Sequence, residues 1–224
     1  KRVKYMDYSK GASFQYISKL IDRWLLSVYK RMRKIDREAI IQKQKKKCKC
    51  EERVVFYEST EIRNNSDRIP AITIGRDTHI CGELFAYGKD GKIEIGQECY
   101  VGKNTYIWSS KHIFIGNRVL IGHNCNIFDN DTHPKNKEER NRQYKYIISF
   151  GQPKSIDLNE KEIVIEDDVW IAANCTVIKG CKIGRGSIIG TGTIVTDDIP
   201  ANSIVYGDSS KIYRNRGGSC EDGL

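Results

Sequence analysis

The sequence predicts an all-β chain: a parallel β-helix coiled from six-residue units, carrying an N-terminal helical appendage and a long inserted loop. Three observations predict it. Aliphatic residues recur every six positions, as Ile95, Val101 and Ile107, as Ile115, Ile121 and Ile127, and as Ile165, Ile171, Val177, Ile183, Ile189 and Val195. Most are followed by a small residue, as at Gly96, Gly102, Gly116, Gly122, Ala172, Gly184 and Gly190. A second small residue follows four positions after the aliphatic one, as at Cys99, Thr105, Cys125, Cys175, Cys181, Ser187 and Thr193.

A period of six fits neither an amphipathic helix nor a sandwich with turn signals every 8 to 12 residues. It fits a coil in which each unit makes one short flat side, three units close a triangle, and coils stack at the strand spacing of about 4.8 Å. The aliphatic side chains then stack inside the prism, and the small residues fall at bends or where inward space is tight. Gly184, Gly186, Gly190 and Gly192 lie in this register, which excludes reading them as a dinucleotide-binding loop.

The same register accounts for four of the eight cysteines. Cys99, Cys125, Cys175 and Cys181 take the small inward positions and read as buried free thiols, which suits a reducing compartment. Cys48 and Cys50 form a lone C-x-C in a lysine run; with no second pair they make a weak zinc candidate, and no metal is expected.

The chain of 224 residues is long enough for a sizeable core, and its formal net charge of +9 predicts attraction to an anionic partner without choosing which. No window offers the roughly 20 uncharged apolar residues of a membrane span, since the best run, Ile17 to Tyr29, is broken by Lys19, Asp22 and Arg23. The first ten residues do not read as a secretory signal, so the expected location is the cytoplasm, including the inner membrane face.

The appendage occupies residues 1–50. Over 13–47 it reads as one helix or two, with Phe14, Ile17, Ile21, Trp24, Val28, Met32 and Ile35 along one face and a basic opposite face. It would pack against the coil or a sister subunit, or lie on an anionic membrane; nucleic-acid binding has no accompanying motif. The coil domain is assigned to 51–214, with the inserted loop at 129–162, and 215–224 form a tail.

The register breaks in three places: around Gly88 to Gly91, near Ser109 to His112, and between Ile127 and Ile165. The last break is the large one. It opens with Asp129-Asn130-Asp131-Thr132-His133-Pro134 and contains Tyr144, Tyr146, Ile147, Ile148 and Phe150, which favour partial order. His133 stands directly after a coil side, where a rigid scaffold can hold an imidazole that takes a proton from an alcohol near neutral pH. Asp129 or Asp131 is the expected partner for its other nitrogen. By spacing alone this run also reads as a capped turn, and His79, His112 and His123 read as surface or hydrogen-bonded residues of the coil.

The segments Ile113 to Phe128, Thr132-His133-Pro134, Ile165 to Asn174, Ile189 to Pro200 and Val205 to Arg214 resemble the hexapeptide-repeat acyltransferases. The resemblance is to the galactoside and maltose acetyltransferase group and its relatives in polysaccharide gene clusters, and it spans roughly residues 70 to 214. It implies a left-handed coil, a homotrimer with sites between subunits, and acetyl-CoA as donor. It makes His133 the catalytic base, with Asp131 and Asn104 beside it; family members often carry two asparagines before the histidine, and here Gly102 takes the first place. Trp170, Ala172, Ala173, Gly190 and Thr191 match the wall along the pantetheine arm, and Lys211 and Arg214 match a basic segment near the nucleotide. The implied activity is O-acetylation of a sugar hydroxyl in surface polysaccharide or lipopolysaccharide biosynthesis. N-acetylation of an amino sugar or a drug, and a non-catalytic scaffold, are the alternatives.

Overall fold

The computed structural model describes residues 9–65, 69–207 and 212–215, with side chains described over 19, 21–65, 70–207. Two compact units are present, 1–42 and 43–224. A single helix, α1 (Ser9–Lys45), begins in the first range and ends in the second.

Six coils follow. They run β1 (Lys49–Cys50), β2 (Val55–Phe56) and β3 (Glu61–Asn64); β4 (Ile72–Ile74), β5 (His79–Ile80) and β6 (Glu83–Ala86); then β7 (Ile93–Ile95), β8 (Tyr100–Val101) and β9 (Tyr106–Ser109). The fourth coil is β10 (Ile113–Ile115), β11 (Leu120–Ile121) and β12 (Asn126–Phe128), after which the chain leaves to form α2 (Lys137–Phe150). It returns as β13 (Ile163–Ile165), β14 (Trp170–Ile171) and β15 (Thr176–Ile178), then β16 (Lys182–Ile183), β17 (Ile188–Ile189) and β18 (Ile194–Val195). β19 (Ser203–Val205) adds to the second sheet and β20 (Ile212–Asn215) closes it antiparallel. Corresponding sides stack into three sheets, parallel up to that final strand, which is the left-handed parallel β-helix of six-residue units.

The predicted ladder is the core. Ile80, Val101, Ile121, Ile171, Ile189 and Val205 stack within the second sheet, each at 0 or 1% exposure. Each such side chain gains about 1.5–3 kcal/mol from burial. The first coil belongs to the same ladder through Cys50, Phe56 and Ile62, which pair with Ile74, Ile80 and Leu84. A search for aliphatic residues alone stops short of it, because two of its three inward places hold cysteine and phenylalanine.

The small inward residues do more than fit. Thr78 donates its hydroxyl to the Gly96 carbonyl at 2.9 Å, and Thr105 to that of Gly122 at 2.7 Å. Cys99, Cys125 and Cys175 donate their thiols to the carbonyls of Gly116, Ala172 and Gly190, each at 3.1 Å. Cysteine, threonine and serine are therefore interchangeable here as short donors to the next coil's corner. Burial pushes the Cys99 thiol up and that of Cys181 to about 11, so these sulfurs are packing groups.

Each corner between the first and second sheets turns on one residue with left-handed backbone, namely Arg53, Asp77, Glu98, Arg118, Asp168, Gly186 and Asn202. Adjacent coils there are joined by forked pairs, Arg53 to Asp77 and Arg118 to Asp168. The next corner uses Asn104, Asn124, Asn174 and Gly192 in the same conformation. Glycine is required where stacked corners touch: a Cβ on Gly102 would stand 2.5 Å from the Gly122 carbonyl group.

Replacing Ile121, 1% exposed at mid-stack, with alanine is expected to lower unfolding stability by about 2–5 kcal/mol through lost transfer energy and a cavity. Denaturant titration of Ile121→Ala beside the wild type measures it.

Candidate active site

The insertion leaves from the corner between the third and first sheets. Its root is fixed by Asp129, which is fully buried and accepts from the Ser109 hydroxyl at 2.6 Å, the Ser110 and Lys111 backbone amides at 2.9 and 3.0 Å, and the Asn130 side-chain Nδ2 at 2.8 Å. Such a carboxylate is buried without an adjacent cation because four donors replace its water. The residues near Ser109 to His112 that break the repeat are thus the socket for Asp129. Asn130 in turn accepts from the Tyr87 hydroxyl at 2.8 Å and the Thr132 amide at 2.8 Å. Burial pushes the Tyr87 phenol well up, keeping it protonated as a donor.

The return segment is clamped by apolar contact. The outer face of the third sheet carries Phe85, Trp108 and Phe128 in register, with ring centroids 5.7 and 5.3 Å apart. Phe85 and Tyr87 stack at 4.7 Å, and Leu158, 2% exposed, closes over them with Ile156 at its side. Backbone bonds from the Asp131 amide to the Leu158 carbonyl and from the Lys161 amide to the Asp129 carbonyl tie the two ends of the insertion together.

Between these ends lies ordered structure where the sequence reads as a loop. Asn136 caps α2, its side-chain oxygen accepting from the Glu138 and Glu139 amides at 2.9 and 3.0 Å, and both acids sit in the first turn. Gly151, with φ of 84°, ends it. The helix has one buried residue, Gln143, at 3% exposure.

Gln143 decides the chemistry of the predicted base. Its Nε2 donates to the Thr132 carbonyl at 3.2 Å, and a carbonyl can only accept. Its Oε1 therefore faces His133 Nδ1 at 2.7 Å, so Nδ1 carries the proton and donates. In the neutral ring the lone pair is then on Nε2, and His133 is exposed. With Nδ1 held as a donor, Nε2 is the basic nitrogen of the ring, which is the arrangement proton abstraction requires.

This corrects the expected partner. The Asp131 carboxylate does not reach the imidazole: it pairs with the Lys179 ammonium and accepts from Asn159 at 3.3 Å, with Lys135 3.8 Å away. Burial alone would push the Asp131 carboxyl up, but Lys179 and Asn159 outweigh burial and hold it below the usual carboxylate range. Asp131 thus fastens the insertion to the fifth coil, and Asp129 fastens it to the third. A glutamine ten residues beyond His133 gave no sequence signal, because only folding of α2 brings it back.

Asn104 stands exposed at the corner between the second and third sheets, whereas His133 leaves the third corner, so one protomer does not bring them together. Trp170, half exposed on β14, lies in an outward row with Tyr100 and Leu120. Ala172 and Ala173 are half-buried at the adjoining corner and Thr191 is exposed. Gly190 is buried because the Tyr206 ring lies over it: a Cβ there would stand 2.2 Å from that ring. Arg214 falls in the backbone of β20 outside the described side chains, and Lys211 lies outside the described residues. The other histidines have structural partners where bonds are present, His79 with the Tyr57 hydroxyl at 3.0 Å and His112 with Glu94 at 2.6 Å. Cys48 and Cys50 approach to 3.3 Å, and among the described residues no group of three or more His, Cys, Asp or Glu could hold a metal ion.

Comparison with known proteins bears on the repeats. Residues 162–197, the fifth and sixth coils, match the family described as Bacterial transferase hexapeptide (six repeats). A 2,3,4,5-tetrahydropyridine-2,6-dicarboxylate N-acetyltransferase of Halalkalibacterium halodurans is 54% identical over 54 residues, 24% of this chain, and the match spans 22% of that relative's length. Among solved structures, the hexapeptide coil is similar to a serine-to-alanine variant of AntD, an N-acyltransferase from Bacillus cereus in complex with dTDP-4-amino-4,6-dideoxyglucose and coenzyme A. The TM-score is 0.58 at 16% identity, covering 76% of this chain and 84% of that one. A hexapeptide transferase family protein from Anaplasma phagocytophilum matches with a TM-score of 0.52 at 16% identity, over 75% and 78% of the two chains. At these identities the solved structures show a shared fold.

Two outcomes are expected. In wild type, long-range 1H–15N NMR should show His133 protonated at Nδ1, and Gln143→Leu should shift it toward the Nε2-protonated form that dominates in free imidazole side chains. Because Asp131 is depressed in the folded state, its pairing with Lys179 stabilises fully above the unfolded carboxyl value of about 3.9 and is lost as pH falls through the lower folded value. Lys179→Met should therefore lower the melting temperature at pH 7, with a difference that shrinks below about pH 4 in thermal scans.

Proposed function

We propose that this hexapeptide-repeat chain is a coenzyme A-dependent acyltransferase that moves an acetyl group from acetyl-CoA to a sugar hydroxyl. The observation that carries the reading is the exposed His133, whose Nδ1 is held by buried Gln143 so that Nε2 is the ring's basic nitrogen. Nε2 takes the acceptor proton as the oxygen attacks the thioester carbonyl carbon. The carbon–sulfur bond then breaks, and the leaving thiolate recovers the proton from the imidazolium, giving an O-acetyl ester and free coenzyme A. No acyl-enzyme is needed. A hydroxyl, far less acidic than the thiol it replaces, depends on such a base.

Repeat identity and two relatives named for acyl or acetyl transfer support the donor class. The wall at Trp170, Ala172, Ala173, Gly190 and Thr191 is the proposed pantetheine path, and the same reading gives Lys211 and Arg214 the role of binding the phosphates. A groove of about 640 Å³ beside the base, lined by Pro134, Arg142, Gln143, Tyr146 and Asp157, offers an aromatic ring and polar groups suited to a sugar. Assembly as a homotrimer would bring Asn104 of one subunit toward His133 of another, and the exposed row of Tyr100, Leu120 and Trp170 is an apolar strip of the kind such contacts cover. A role in surface polysaccharide or lipopolysaccharide synthesis extends the same reading.

A second reading is transfer to nitrogen, favoured by the names of those two relatives. Alkaline lability of the product separates the readings: mild alkali releases acetate from an ester and leaves an amide intact. Thiol release from acetyl-CoA across a panel of sugars and polysaccharide fragments tests the base. His133→Ala should reduce acceptor-dependent turnover by about 10²–10⁴-fold. Unchanged turnover in a correctly folded variant would refute the catalytic role of His133, whereas a wild type that neither turns over nor binds acetyl-CoA would leave the scaffold reading.

A further inference from the structure

We propose that α1 is an interfacial helix that lies along an anionic lipid surface, with Ile21, Trp24, Leu25, Val28, Met32 and Ile35 at the acyl boundary and its cations among the headgroups. The inference is independent of the acyl-transfer reading. All but Val28 are exposed, Trp24 by 64% and Met32 and Ile35 by 59% each. At about 100° per residue these six share one continuous face, while Lys19, Arg23, Lys30, Arg33, Lys34 and Arg37 occupy the other.

Charge selects the occupant. The helix carries ten basic and three acidic side chains, so it complements a negatively charged plane and repels parallel copies of itself. The period of the apolar face gives the same answer. A coiled-coil seam from Ile17 through Ile21, Trp24 and Val28 continues by the 3-4 alternation to Arg31, Ile35 and Glu38, placing two charges in the seam. The 3.6-residue period instead takes Met32 and Ala39 onto the face, and a straight apolar stripe suits a flat boundary. The stretch from 19 to 40 would extend roughly 33 Å along that plane. No described helix is long and apolar enough to cross a membrane, so the contact is peripheral.

The test is flotation of the full chain with phosphatidylcholine vesicles, with or without phosphatidylglycerol, at low and high salt, with oligomeric state followed by light scattering. Retention on anionic vesicles at low salt, with loss at high salt, is expected. Trp24→Glu combined with Val28→Glu should cut partitioning at least about tenfold with the melting temperature unchanged, and Arg33→Glu with Arg37→Glu should do likewise. No retention, equal retention on neutral vesicles, or retention unaffected by Trp24→Glu and Val28→Glu would overturn the proposal. Loss of an oligomer in that variant, without vesicle binding by wild type, would assign the face to a second protein chain.

Discussion

Everything in the second unit depends on coil stacking in strict register. The backbone amides of the flat sides bond to the coils before and beyond them, and this forces the same side-chain position to recur directly above itself. A ladder of isoleucine and valine can then fill the prism without gaps, while outward residues vary freely. The constraint is tightest at the corners, where glycines such as Gly102 meet carbonyls of the next coil and where a thiol or hydroxyl bonds the corner beyond. A uniform scaffold of this kind has no interior in which to build a site. Chemistry has to be added at an edge or an interruption.

The interruption here is built with care for its two ends. Asp129 is locked into the amides of the preceding coil, Asp131 onto Lys179 of the following one, and Leu158 onto the aromatic ladder of the third sheet. With entry and exit fixed, α2 can present a single buried polar side chain, Gln143, to His133. The rigidity of the coil is thereby passed to an imidazole that lies outside it. A loose loop would leave the ring's tautomer to solvent; this one settles it through a carbonyl that can only accept.

The fold was largely legible in the sequence because six-residue periodicity is a direct consequence of stacking, and no other architecture produces it. What escaped was the first coil, where Cys50 and Phe56 stand in the ladder, and α2, whose polar sequence gives little apolar pattern to read. His133 was legible as a candidate from its place at the base of the insertion. Its partner was not, because acidic residues next to a histidine in sequence are the natural expectation, and in three dimensions both Asp129 and Asp131 are consumed in holding the loop. Asn104 and Trp170 are likewise readable as positions but not as neighbours of the base, since they occupy other sides of the triangle.

The sequence alone determined the coil, its inward residues, the reduced buried thiols, the place of the insertion and the amphipathic character of α1, because each depends on spacing along the chain. The tertiary structure decided which groups meet. It gave Asp129 to the coil's amides, Asp131 to a lysine and His133 to a glutamine, because hydrogen-bond partners are chosen by distance and direction in space, and a 14-residue helix that folds back cannot be read from the separation of its ends.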